Sequence, residues 1–140
     1  MQKLAESNRQ TYYWFVWFAL CFISYQLVQD TIRPNYSSGN ALIIYFLGVA
    51  PNFFPAVGIP ALLVILIPVL SKKRSTNKWL TEKRHFTANL ISLVGLLTWE
   101  LVQILTKSGR FDWNDMLWTI IGAFIFQLIW QITPFKFKEL

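Results

Sequence analysis

Seven acidic residues are spread over the 140 of this chain, and only one of them, Glu100, lies inside an apolar run. A carboxylate at membrane depth costs several kcal/mol unless it is paired or wetted, so such a residue marks a functional position with a partner to be named. The cations nearest in sequence are Lys107 and Arg110. Gln103 follows Glu100 at i+3 and shares its helix face. Asn89, eleven residues earlier, falls on the same stripe. Beyond the segment Lys107-Ser108-Gly109-Arg110-Phe111-Asp112-Trp113-Asn114, Asp115 opens a second apolar run with Thr119 and Gly122 one and two turns on. An antiparallel hairpin of the two runs gathers Glu100, Gln103, Arg110, Asp112 and Asp115, with Asn89, Thr119, Asn52 and Asp30 as candidates for a surrounding layer.

Two readings of this cluster stay open. In one it holds the hairpin: Glu100 pairs with Arg110, Asp112 or Asn114 caps the last helix, and Asp115 complements the positive end of that helix. In the other it also binds something. A guanidinium holds phosphate or carboxylate bidentately, and several carboxylates can hold Mg²⁺ through oxygen and activate water. No nucleophile stands beside a base, so binding is expected ahead of catalysis.

Little else in the chain suggests chemistry. Cys21 is a lone thiol in an apolar run, where packing is its ordinary role. His85 has neither a cysteine nor a second histidine with which to build a zinc site, and no metal ligand set is expected. No phosphate-binding glycine loop, dinucleotide fingerprint or nucleophile elbow occurs. Gln26, Gln127 and Gln131 suit hydrogen bonds between helices.

The elements that must position the cluster follow from composition. The chain is 54% hydrophobic, 17% aromatic and 14% charged, against about 25% charged in a soluble domain. Too few charges remain to cover a water-facing surface, and so many aromatics exclude disorder. The expectation is an all-α polytopic membrane protein, a single membrane domain over residues 1–140. It would be a four-helix bundle spanning at about 12–30, 41–70, 86–105 and 116–133, with a basic loop at 71–85. Residues 41–70 would make one helix about 45 Å long, more than a bilayer core needs. They contain Pro51, Pro55, Pro60 and Pro68. The segment is therefore expected to be proline-broken at Pro51-Asn52-Phe53-Phe54-Pro55, with one long kinked helix as the alternative. The first span lacks a small-residue cleavage site and is read as uncleaved.

Four spans put both termini on one side. With the loop at 71–85, that side carries ten Lys and Arg residues against three on the other, Arg33, Lys107 and Arg110. The positive-inside rule then places the termini in the cytoplasm of a multi-pass cell-membrane protein. The run from Lys72 to Arg84 suits anionic lipid heads, and no nucleic-acid partner is expected.

Trp99-Glu100-Leu101-Val102-Gln103, then Gly109-Arg110-Phe111-Asp112-Trp113-Asn114-Asp115, then Gly122-Ala123, resembles the C-terminal signature of the VanZ-like family of small integral membrane proteins. That signature runs roughly E-L-x-Q, G-R-x-x-D-x-x-D, N-x-x-G; its Asn four residues after the second Asp is Thr119 here. The resemblance implies a bacterial cell-envelope role, with a link to glycopeptide-antibiotic tolerance through one namesake. Together with the residues it leads to an outward-facing polar site for a lipid-linked or amphiphilic envelope component. The alternatives are a metal-dependent hydrolase of a lipid-linked phosphate, or a small transporter or accessory subunit. Four spans make a thin bundle, so transport would call for a homo-oligomer.

Overall fold

The computed structural model describes residues 2–71, 83–105 and 111–138, and the described residues are helical throughout, without strands. Helix α1 (Gln2–Gln26) runs into a π-helical turn (Leu27–Ile32) and the short α2 (Arg33–Asn35). After an extended link come α3 (Ala41–Ser71), α4 (Arg84–Gln103), α5 (Trp113–Ile132) and a 3-10 turn (Phe135–Phe137). Among the described residues, four segments are long and apolar enough to cross a membrane: Asn8–Asn35, Ala41–Leu70, Arg84–Gln103 and Trp113–Ile132.

The helix boundaries have local causes. Asn40 caps α3, its side-chain carbonyl accepting the N–H groups of Leu42 at 3.1 Å and Ile43 at 3.4 Å. Asp112 is extended and caps α5 by accepting the Asn114 N–H at 2.8 Å. Helix α5 stops at Thr133, whose extended backbone precedes Pro134, a residue that cannot continue a helix.

The second span departs from expectation. It is one helix from Ala41 to Ser71 with all four prolines inside it, and residues 51–55 are helical, not broken. Each proline removes one N–H and leaves one carbonyl, four residues back, without its helical partner. A non-helical stretch would leave several backbone groups unpaired among apolar side chains, a larger cost.

Helix α3 is the hub. It packs against α1 on one side and against the α4–α5 hairpin on the other. Two glycines permit the close approaches. A Cβ on Gly58 would come within 2.8 Å of Cys21 Cβ on α1, and one on Gly122 of α5 would lie 2.7 Å from Ala56 Cβ and 2.8 Å from the Phe53 carbonyl. Such contacts are the ordinary means of helix association where lipid supplies no hydrophobic drive.

The core lies toward the end of the bundle where the chain begins and finishes. Trp14 is fully buried, at 0% exposure, among Ala61, Val64, Ala88, Phe126 and Trp130. Its ring stacks on Trp130 at 5.0 Å, and its indole N–H donates to the Phe137 carbonyl at 2.8 Å. The segment after α5 folds back here: Gln10 donates to the Lys136 carbonyl at 3.1 Å, Tyr13 stacks on Phe137 at 4.5 Å, and Arg84 donates to the Lys138 carbonyl. Arg84 also lies over the Trp130 ring at 5.7 Å, and His85 stacks on that ring at 4.6 Å. This basic end thus joins the start of α1, the start of α4 and the chain beyond α5. The opposite end carries Asp30, Glu100, Asp112 and Asp115, and is called the acidic end below.

Candidate functional site

A cleft of about 370 Å³ opens at the acidic end, between the last turns of α1 and α4, the middle of α3 and the first turn of α5. Tyr25, Gln29 and Arg33 enter it from the first span, Asn52 from α3, Glu100 and Gln103 from α4, and Asp115 from α5. Asn52 reaches it because α3 stays helical through the prolines, with Gly48 and Pro51 completing the wall. The first span reaches it through the π turn, in which the Arg33 N–H donates to the Val28 carbonyl, five residues back. Wide turns of this kind recur at functional sites.

Glu100 is the pivotal side chain. It is 3% exposed. Its Oε1 accepts the Gln103 amide at 3.2 Å, while Oε2 is buried with no hydrogen-bond partner among the described residues. An unsatisfied buried charge-bearing oxygen is among the costliest features a fold can carry. Asp115 shares the cleft with the Asn52 amide and the Arg33 guanidinium. Both Asp115 and Asp112 stand close enough to Glu100 to repel it. Arg33 in turn donates to Gln29 Oε1 at a long 3.5 Å. The cleft therefore offers hydrogen-bond acceptors from two carboxylates and a guanidinium at its rim.

The structure sorts the sequence candidates. Glu100, Gln103, Asp115 and Asn52 come together in the cleft. Asp112 stands at the rim beside a smaller hollow of about 200 Å³ that it shares with Arg33 and Asp115, and its side chain is committed to capping α5. Asn89 is not part of the site. Its amide donates to the Ala123 carbonyl at 3.0 Å and ties α4 to α5. Thr119 is buried and bonds back to the Asp115 carbonyl at 2.9 Å, out of the cleft. Asp30 is exposed on the π turn and does not line the cleft. Lys107 and Arg110, the expected counter-charges of Glu100, lie outside the described residues.

Sequence reasoning missed Tyr25, Gln29 and Arg33. The signal was present, since positions 25, 29 and 33 follow one another at intervals of four, the repeat of one helix face. Arg33 was read only as a charge in a loop.

Among the described residues, no three His, Cys, Asp or Glu side chains converge as a metal-holding group. A buried acceptor, a polar wall and a nearby guanidinium equip the cleft to hold a polar group. The fold and site together define a four-helix membrane-type bundle with an acidic cleft near one end. No family model, curated protein or solved structure matches the chain.

Proposed function

We propose that this chain is a VanZ-like integral membrane protein of the bacterial cell envelope that binds the polar head of a lipid-linked or amphiphilic envelope component. Its termini would lie in the cytoplasm and its acidic cleft would face outward. One observation carries the binding part of this reading: a carboxylate 3% exposed in an apolar helix, lining a cleft, with one oxygen unpartnered among the described residues. A donor group on a ligand would satisfy that oxygen. Depth agrees as well. Glu100 lies three residues before the end of α4, about 4.5 Å along the axis, and Asp115 is in the first turn of α5. Both belong near one face of the membrane rather than at mid-membrane.

The continuous α3 weakens the carrier reading, which drew on a discontinuous helix. The hydrolase reading would need convergent metal ligands.

The test is to reconstitute the protein with a bacterial lipid extract and identify what copurifies by native mass spectrometry. Glu100→Gln and Asp115→Asn are each expected to keep folded yield in detergent and to lose the copurifying amphiphile. Collapse of folded yield in both variants would instead make the cluster a brace for the hairpin.

A further inference from the structure

The acidic cleft does not end at its polar wall. Tyr25 and Pro55 line it and also line an apolar groove of about 290 Å³ that runs along the seam between α1 and α3. The groove is walled by Phe18, Phe22, Phe54 and Ile59, with the small residues Cys21 and Gly58 beneath. From Tyr25 back to Phe18 is seven residues of α1, about 10 Å toward the membrane interior. A polar cavity near one end of the bundle thus adjoins an apolar groove leading inward, the profile of an amphiphile standing in a bilayer. A second apolar hollow of about 330 Å³ lies on another side of α1, bounded by Leu20 and Ile125 among others. It has no residue in common with the acidic cleft, although it shares Cys21 and Phe54 with the groove, and so serves as the control path, one that does not reach the head site.

We propose that cleft and groove form a single site for one amphiphile, with a zwitterionic head in the cleft and a hydrocarbon chain along the α1–α3 seam. The proposal rests on the head-binding reading and extends it to the tail. Charge complementarity sets the head: the free oxygen of Glu100 takes an ammonium or hydroxyl donor, and Arg33 at the rim takes an anionic group. An amino-alcohol phosphate carries both.

The probe is phosphatidylethanolamine with a photoactivatable group in one chain, presented in phosphatidylcholine nanodiscs holding the full chain, with crosslinks mapped by peptide mass spectrometry. Crosslinks are expected to concentrate on Phe18, Phe22 and Ile59. They should exceed several-fold those on Leu20 and Ile125, and those on Phe124, a 62% exposed position on α5 about two and a half turns from Asp115. This map needs no variant, and equal labelling of Phe22 and Phe124 would overturn the groove by showing surface lipid only. Ile59→Trp should reduce the crosslinks several-fold, whereas Leu20→Trp in the control hollow should not. Glu100→Gln should reduce them as well. Loss with Glu100→Gln but not with Ile59→Trp would leave the head site standing and reject the tail path. Loss with Ile59→Trp alone would reject the head-binding reading. Soluble phosphoethanolamine, added as competitor, separates free head group from lipid: displacement by it at modest concentration would reject any requirement for the chain.

Discussion

At the scale of single residues, the closest helix contacts are set by atoms that are missing. Gly122 has no room for a methyl group, because both obstacles, Ala56 Cβ and the Phe53 carbonyl, belong to the hub helix. Gly95 of α4 has nothing within 4 Å of the same position. Gly122→Ala should therefore destabilise the bundle by about 1–3 kcal/mol, the usual range for overpacking. Gly95→Ala should be neutral or raise stability by up to about 1 kcal/mol through helix propensity. Thermal unfolding in detergent compares the two, and equal effects would contradict the packing of α5 on α3. Glu100 poses a problem of another kind. Its carboxylate was legible in the sequence because one acid in an apolar run announces itself. Its surroundings were only partly so: Asn52 was legible as a candidate, but Arg33 comes from an element distant in the chain and reaches the cleft only through tertiary packing. The Tyr25, Gln29 and Arg33 spacing was visible, but a helix extending past the apolar run through a π turn was needed to give it meaning.

At the scale of elements, what the sequence expressed well were lengths and local caps. All four spans follow from runs of apolar residues, and Asp112 caps α5 as its side chain allows. The sequence left the second span open between one long kinked helix and a break at residues 51–55 that would free backbone groups. Inside a bundle the break is costly, and α3 stays helical. The Asp112 cap has a consequence for the site. Its carboxylate fixes the first turn of α5, which holds Asp115 in the cleft. Asp112→Ala should cost about 0.5–2 kcal/mol, as for other N-caps. Amphiphile retention should fall along with stability, because Asp115 then rides on a frayed turn. Asp112→Asn or Asp112→Ser, which can still cap, should restore both. A cap that served only stability would leave retention unchanged in Asp112→Ala, measured below its unfolding temperature.

For the whole molecule, the governing fact is that the two ends of the bundle differ in charge and in construction. Arg84, His85, Lys136 and Lys138 gather at the end where α1 begins, holding the chain after α5 against the helix starts through Trp130 and backbone carbonyls. The acidic cleft lies at the other end. Ten of the thirteen Lys and Arg residues fall within residues 3–9, 72–84 and 136–138. Insertion keeps such segments on the cytoplasmic side, a bias counted on Lys and Arg near the span ends rather than on net charge. A reporter joined at Ser75, between α3 and α4, should thus read cytoplasmic, and one at Ser108, between α4 and α5, external. The two positions precede and follow α4 in the chain, so they must read oppositely if that helix crosses the bilayer; like readings would refute the crossing itself. Reversed readings would turn the cleft toward the cytoplasm. Its ligand would then have to be sought among inner-leaflet lipids, and the outward-facing envelope role would fail even if the cleft still bound an amphiphile.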